Sequence, residues 1–139
     1  MKKMINFVIV DDDNTSLLIG KFTIHKFNNE AKVITFTEPE IALDKIAKGF
    51  GDYNEDIQTI LFLDINMPTM TGWDFLDVFN NFHFKIKKRF LIYILSSSIE
   101  DFEKKAIKYP FVTGYLSKPL KLNYLQDIYS SQVPNLINY

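Results

Sequence analysis

The stretch that decides the fold is TILFLD, residues 59–64, an almost continuous apolar run that ends in an aspartate. Two further runs have the same character: INFVIV at residues 5–10 precedes three aspartates, and FLIYIL at residues 90–95 precedes three serines. Apolar runs without alternation are typical of strands that are covered on both faces, as in a parallel sheet. We therefore predict three central parallel strands, each followed by polar residues.

Two shorter runs rich in β-branched and aromatic residues, at 32–36 and 111–116, raise the number of predicted strands to five. The stretches between and after the strands carry apolar residues at helical spacing. They predict five helices, over residues 14–28, 39–48, 72–82, 98–109 and 121–130. Strands that alternate with helices along a whole chain are typical of an α/β fold, an open parallel sheet covered by helices on both faces.

The first predicted helix illustrates how these helices are expected to pack on the sheet. Leu18 and Phe22 lie one turn apart, so we expect both side chains to face the strands. Asp13 or Asn14 is suited to cap the N-terminus of this helix, because both side chains accept hydrogen bonds from the first free backbone amides.

Length and composition limit the architecture. The chain has 139 residues, of which 47% are hydrophobic and none is cysteine. A domain usually takes about 100–200 residues, so we expect one domain over residues 1–139, with a short tail at 131–139 and no output domain. The lack of cysteine excludes disulfide frameworks, thiolate metal sites and cysteine nucleophiles.

The charge balance argues against nucleic acid as a partner. Sixteen Lys and Arg residues are balanced by seventeen Asp and Glu residues, for a net charge of −1, whereas nucleic-acid binders usually show an excess or a stripe of positive charge. One basic run precedes the fourth predicted strand, and we expect it to be a solvated loop. This basic run consists of Lys85, Lys87, Lys88 and Arg89.

No segment of the sequence has the character of a membrane anchor. The longest apolar run, residues 90–95, is far shorter than the roughly 20 residues that a membrane span needs. The apolar stretch before Asp11 is too short for the core of a signal peptide. We therefore expect a cytoplasmic protein without membrane association.

The carboxyl ends of the predicted strands carry the candidate chemistry. Residues 11–13 are three aspartates after the first strand, while Asp64, Ser96 and Lys118 come after the third, fourth and fifth strands. Ligands of open α/β sheets bind at this edge, so we expect these groups to share one pocket.

Such a pocket would need a cation. Carboxylates that are brought together repel one another and raise each other's proton affinity unless positive charge offsets them. Mg²⁺ prefers oxygen ligands and is typically held by one or two carboxylates together with phosphate oxygens. Zinc is not expected, because the chain has no cysteine and its two histidines, His25 and His83, lie away from the strand ends.

A pocket with Mg²⁺, a central aspartate, a hydroxyl and a lysine suits transfer of a phosphoryl group onto Asp64. Carboxylates are nucleophiles for phosphoryl groups, and the transfer requires mainly positioning and neutralisation of the phosphoryl oxygens. The metal, Lys118 and the Ser96 hydroxyl can each balance one of these oxygens. No general base is needed, because an ionised aspartate is already deprotonated at neutral pH.

Four segments in this order resemble the receiver domain of two-component response regulators, in particular the stand-alone receivers of chemotaxis. The segments are FVIVDDD at 7–13, LFLDINMP at 61–68 with Gly72 after it, ILSS at 94–97 and GYLSKP at 114–119. The resemblance implies a flavodoxin-like, doubly wound (βα)5 fold whose five parallel strands have the order 2-1-3-4-5.

The resemblance also implies roles for single residues. Asp64 would be the phosphoacceptor, and Mg²⁺ would be held by Asp11, Asp12, Asp64 and the backbone carbonyl of Asn66. Lys118 would bind the phosphoryl oxygen and would precede a cis proline, Pro119. Asp13 is interpreted as a cap or loop residue and not as a ligand.

Two further residues match the switch of the family. Ser96 takes the place of the hydroxyl residue that follows the phosphoryl group, where the family more often has threonine. Tyr115 matches the aromatic residue whose ring turns inward when that hydroxyl moves. An alternative for Tyr115 is an aromatic side chain packed permanently against the fourth predicted helix.

The resemblance implies a signalling phosphoacceptor and not an enzyme in the usual sense, although such domains can promote their own phosphorylation and dephosphorylation. The phosphodonor would be a histidine kinase or a histidine phosphotransfer protein. A downstream protein would bind the surface formed by helix 98–109, strand 111–116 and helix 121–130. The alternative is a receiver-like adaptor that binds its partner without phosphorylation.

Two enzyme or cofactor classes on similar sheets fit the sequence less well. A phosphatase of the haloacid-dehalogenase type needs a second aspartate two positions after its nucleophile, where this chain has Asn66. A flavodoxin needs a phosphate-binding loop after the first strand, where this chain has three negative charges.

Overall fold

The structure is a computed structural model that describes residues 4–49, 57–97 and 102–132. Five parallel strands form one sheet in the order β2-β1-β3-β4-β5, which confirms the predicted fold class and strand order. The strands are β1 (Met4–Val10), β2 (Lys32–Phe36), β3 (Ile57–Leu63), β4 (Phe90–Ser96) and β5 (Gly114–Ser117). The helices described are α1 (Asn14–Phe27), α2 (Pro39–Ala47), α3 (Gly72–Asn80), α4 (Phe84–Lys87), α5 (Phe102–Lys108) and α6 (Leu122–Gln132).

The central strands are buried on both faces, as their sequences predict. In β3, Leu61 and Leu63 join a core cluster with α2 and α3, while Ile60 and Phe62 join a second cluster with α1 and α6 on the opposite face. All four side chains are fully buried. The alternation of directions along each strand therefore supplies both cores from one apolar run.

The predicted packing face of α1 is wrong. Leu18 and Phe22 are 70% and 69% exposed, although they lie one turn apart. The helix approaches β1 through a different face, where a Cβ atom at Gly20 would lie only 2.8 Å from Cδ1 of Ile9. The buried residues on this face are Leu17, Gly20 and Ile24.

The prediction that the basic run before β4 is a loop is wrong, because this run contains the short helix α4. The ring of His83 caps this helix, because its Nδ1 accepts a hydrogen bond from the backbone amide of Lys85 at 3.0 Å. Ile86 anchors the turn by packing against the core cluster that includes α2 and α3. Helical structure here follows from one cap and one apolar anchor, with the basic side chains around them.

The fifth strand begins three residues later than predicted, at Gly114. Phe111 and Val112 do pack against the core, which explains their apolar character. Their backbone, however, forms a turn in which the amide of Val112 donates to the carbonyl of Tyr109 at 3.1 Å. Part of the predicted helix 98–109, including Ile99, lies outside the described residues.

Within the described part of the chain, no helix combines the length and the apolar character that crossing a membrane requires.

Candidate functional site

Backbone hydrogen bonds of the sheet fix Asp11 and Asp64 next to each other. Val10 and Leu63, the last residues of β1 and β3, are partners in register. One residue further on, the amide of Asp64 donates to the carbonyl of Val10 at 3.0 Å, and the amide of Asp11 donates to the carbonyl of Phe36 at 3.0 Å. Both aspartates therefore stand at the carboxyl edge where the direction of chain winding reverses, the usual ligand site of such sheets.

Each of these two carboxylates is also oriented by a nearby backbone amide. Oδ1 of Asp11 accepts from the amide of Asp13, and Oδ1 of Asp64 accepts from the amide of Ile65, both at 2.9 Å. The two residues are 2% and 5% exposed. The carboxylates are therefore held in place before any ligand binds.

The site fits a hard divalent cation. Asp11, Asp12 and Asp64 each offer one carboxylate oxygen, and these oxygens lie within 4.8 Å of one another. All three ligand atoms are carboxylate oxygens, from two buried residues and one exposed residue, and oxygen ligands are those that Mg²⁺ prefers. Asn66 is exposed in the same loop, two residues beyond Asp64, and its carbonyl as a ligand stays a prediction.

Lys118 brings a positive charge to this cluster. Its Nζ lies 2.6 Å from Oδ2 of Asp11 and 3.4 Å from Oδ1 of Asp64. The lysine is positioned by the sheet, because its amide donates to the carbonyl of Ser96 at 2.9 Å. The peptide bond between Lys118 and Pro119 is cis, as the sequence resemblance predicted.

Burial and charge shift the ionisation of this group of residues. Burial, and after it the charge of Asp11, raise the pKa of Asp64 above its ordinary value, while Lys118 partly opposes the shift. Burial alone would lower the pKa of Lys118, but its contacts with Asp11 and Asp64 outweigh that effect, and the pKa is raised. The lysine therefore stays protonated, but its single positive charge does not balance the three carboxylates of the cluster.

The two oxygens of Asp64 are not equivalent. Among the described residues, its protein contacts go to Oδ1, which meets the amide of Ile65 and the ammonium of Lys118. This arrangement leaves Oδ2 as the oxygen available to a reaction partner.

Ser96 and Tyr115 lie on the neighbouring strands β4 and β5. Ser96 is fully buried at the end of β4. The ring of Tyr115 packs on Phe102, with 4.9 Å between centroids, and its Oη is buried without a hydrogen-bond partner among the residues described. Burial raises the pKa of this hydroxyl.

Asp13 serves as the N-cap of α1, as predicted. Its carboxylate accepts from the amide of Thr15 at 3.0 Å and from the hydroxyl of Ser16 at 3.3 Å. Neither histidine joins the acidic cluster: His25 contacts the carbonyl of Ala31 at 3.0 Å, and His83 caps α4.

Gly72 is a site residue whose importance the sequence motif did not reveal. A Cβ atom at this position would lie 2.6 Å from the carbonyl oxygen of Asp64 and 2.9 Å from Cα of Ile65. The start of α3 therefore presses directly on the backbone of the central aspartate. A glycine at a junction between a buried strand and a helix is the signal that could have indicated this contact.

A capping box fixes the start of α3 at this place. Oγ1 of Thr71 accepts from the amide of Asp74 at 3.1 Å, and the carboxylate of Asp74 accepts from the amide of Thr71 at 3.2 Å. Because both partners come from one turn, the position of α3 against β3 is set locally.

The family model described as the response regulator receiver domain matches residues 7–130 of the chain. The chain belongs to this family. No curated protein is a significant match to this receiver.

Solved structures of other receivers share its fold. A two-component response regulator from Cytophaga hutchinsonii is 26% identical, with a TM-score of 0.78 and coverage of 93% of this chain and 96% of that chain. A response regulator receiver protein from Dyadobacter fermentans DSM 18053 is 23% identical, with a TM-score of 0.78 and coverage of 91% and 95%. The chemotaxis response regulator CheY4 of Vibrio cholerae is 23% identical, with a TM-score of 0.67 and coverage of 92% and 98%.

Family membership connects the acidic cluster to a general activity. Receiver domains are signalling phosphoacceptors of two-component systems and generally bind Mg²⁺ at an aspartate cluster. They exchange phosphoryl groups with kinases or phosphotransfer proteins and act on downstream targets. This receiver has such a cluster at the carboxyl edge of its sheet.

Proposed function

We propose that residues 1–139 form a single receiver domain that accepts a phosphoryl group on Asp64 from the phosphohistidine of a kinase or phosphotransfer protein. The observation that supports this most directly is the setting of Asp64, a buried carboxylate in an oxygen cluster that also contacts Lys118. An aspartate serving only as a helix cap would not require two further carboxylates beside it.

The reaction follows from the two oxygens of Asp64. Oδ2 attacks the phosphorus atom in line with the donor nitrogen, and a new O–P bond forms as the P–N bond breaks. The electron pair of that bond stays on the imidazole nitrogen, which takes up a proton. The hydrogen bond from the amide of Ile65 holds Oδ1 throughout, so that the carboxylate keeps its orientation.

Charge on the transferred group must be balanced at three oxygens. Mg²⁺ held by Asp11, Asp12, Asp64 and the carbonyl of Asn66 would supply positive charge at one of them. Lys118 supports a second oxygen, because its ammonium already lies 3.4 Å from Oδ1 of Asp64.

The hydroxyl of Ser96 is the donor for the third phosphoryl oxygen. Ser96 ends β4 beside Lys118, whose amide binds its carbonyl. Movement of this hydroxyl toward the phosphoryl group, with a change at Tyr115, would alter the surface of α5, β5 and α6, where a downstream protein binds.

The test is phosphorylation from a small donor. Wild-type protein incubated with Mg²⁺ and acetyl phosphate should gain the mass of one phosphoryl group, with release of acetate, and Asp64→Asn should gain none. Asp13→Asn is the matched control, because Asp13 caps α1 outside the metal cluster and should leave the gain intact. A wild type without the gain, or a gain that persists in Asp64→Asn, would contradict the proposal.

A further inference from the structure

A chain of aromatic rings runs from β5 across α5 to α3. The ring of Tyr115 lies 4.9 Å from that of Phe102, and Phe102 lies 6.3 Å from Trp73 in an edge-to-face arrangement. Trp73 in turn stacks on Tyr109, with 5.3 Å between centroids and 19° between the planes. The distances are those of direct ring contacts, so the side chains form one continuous packed path.

Helix α5 packs on the side chain of Trp73. Phe102 and Lys105 of α5 contact its indole ring, and so does Tyr109, the residue that directly follows the helix. The ammonium of Lys105 lies 5.3 Å from the ring centroid, a favourable cation–π contact. Tyr109 extends the path by donating from its Oη to Oδ1 of Asp77 on α3 at 2.9 Å.

Two opposing contributions act on the buried position of the Tyr115 ring. Packing on Phe102 and the core favours the buried ring, whereas its Oη is buried without a hydrogen-bond partner among the described residues. An unpaired buried hydroxyl is unfavourable, and an arrangement that gives it a hydrogen-bond partner removes that penalty. Tyr115 therefore has an unmet hydrogen bond that a second position of the ring could satisfy.

We propose that Trp73 is a relay residue: phosphorylation of Asp64 displaces Tyr115, Phe102 follows, and the displacement reaches α3 through Trp73. The inference rests on the proposed function, because the trigger is the phosphoryl group on Asp64. Coupling of this kind requires contiguous packing, which the aromatic path supplies, and an element that changes position, which here is Tyr115. The surface of α3 around Asp77 then responds to phosphorylation together with α5.

The relay can be followed with its own central residue, because the chain contains a single tryptophan. Phosphorylation with Mg²⁺ and acetyl phosphate should shift or quench the emission of Trp73 in proportion to the mass gain. Phe102→Leu should reduce this emission change by at least half while leaving the mass gain and the circular dichroism unchanged. Tyr115→Leu interrupts the same path from its other end, and it should likewise reduce the emission change per phosphoryl group gained by at least half.

Phe111→Leu is the matched control. Phe111 contacts Tyr109 and Phe79 at 6.1 and 6.2 Å, so it belongs to the aromatic cluster but lies off the path from Tyr115 to Trp73. This variant should keep the full emission change, which also excludes a general effect of loosened packing.

The outcomes separate the two proposals. An emission change of wild-type size in both Phe102→Leu and Tyr115→Leu would overturn the relay, because the signal would then reach Trp73 directly through Gly72 and the start of α3. A full mass gain with silent tryptophan in the wild type would overturn the relay alone. A missing mass gain in the wild type would overturn the proposed function and the relay together.

Discussion

At the scale of single residues, the site is governed by an excess of negative charge. Asp11 and Asp64 are buried, and Lys118 is the cation that contacts both carboxylates among the residues described. Burial and the charge of Asp11 raise the pKa of Asp64 despite that lysine. The folded protein therefore binds a proton at Asp64 more tightly than the unfolded chain does.

This excess of charge predicts that Asp64→Asn stabilises the metal-free protein at neutral pH. A carboxyl group with a raised pKa makes folding less favourable as pH rises from its ordinary value, 3.8, through its value in the folded protein. The gain in melting temperature should therefore be largest near pH 7 and should vanish below pH 3.8, where both states bind the proton. Thermal unfolding in the presence of a chelator, at a series of pH values, measures it.

Asp13→Asn is the control for this comparison. It removes a carboxylate of the same loop, but asparagine caps a helix as well as aspartate does, so stability should change little. A destabilised Asp64→Asn variant at pH 7 would show that the contact with Lys118 outweighs burial and repulsion, contrary to the prediction.

The meeting of Asp11, Asp64 and Lys118 at one place could be predicted from the topology of the sheet. Each of these three residues follows a strand, and parallel strands bring their carboxyl ends to one edge. Ser96 is the last residue of β4, and its hydroxyl as a hydrogen-bond donor to the phosphoryl group stays a prediction. The double contact of Lys118 could not be predicted, since it depends on the rotamer of a long side chain. The path from Tyr115 to Trp73 could not be predicted from the sequence either, because its contacts join residues far apart in the chain.

At the scale of elements, the contact between α3 and β3 depends on one missing side chain. Gly72 lets the first turn of α3 lie against the carbonyl oxygen of Asp64. Gly20 has a similar place in α1, but the nearest atom to its added Cβ is the end of the Ile9 side chain, at 2.8 Å. The two glycines therefore differ in whether backbone or a flexible side chain would have to move.

We expect Gly72→Ala to destabilise the protein by about 1–3 kcal/mol, the usual cost of forcing extra volume into a packed site. Gly20→Ala should stay within about 1 kcal/mol of the wild type, because Ile9 can rotate and alanine favours the helix. Denaturant unfolding of both variants measures the difference. Equal effects at the two positions would mean that α3 shifts away from β3 without cost.

The α1 helix shows why packing faces are harder to predict than helices. Leu17 and Leu18 are adjacent, and apolar residues such as Phe22 and Ile24 occur on several sides of the helix, so spacing alone permits more than one buried face. The close approach at Gly20 selects the face of Leu17 and Ile24, and that approach is a tertiary effect.

Short elements were missed for a related reason. The four residues of α4 are too few to show a period, and a histidine ring is an unusual N-cap. At Phe111 and Val112 the apolar character reflects burial against the core, while the backbone forms a turn before β5. Hydrophobicity indicates which residues are buried, and hydrogen bonding decides which of them form a strand.

At the scale of the whole molecule, two cores on opposite faces of the sheet support one acidic edge. The acidic edge exists only in the folded protein, so Mg²⁺ that binds there should stabilise the fold by mass action. The gain should be about 2.7 kcal/mol at a concentration one hundred times its Kd. We expect the melting temperature of the wild type to rise with Mg²⁺ and to rise less in Asp12→Asn, which loses the exposed ligand.

Sodium chloride at matched ionic strength is the control, since it screens the same charges without entering the cluster. An equal rise in melting temperature with sodium chloride and with magnesium chloride would refute a specific metal site.

The position of Lys118 bears on whether the protein can fold without a metal ion. Its ammonium already lies between Asp11 and Asp64, so the chain brings a tethered counterion to its own pocket as it folds. Small zinc domains, by contrast, remain unfolded until the metal arrives. We therefore expect this protein to fold before it binds Mg²⁺, and removal of the metal with a chelator should leave the fold intact.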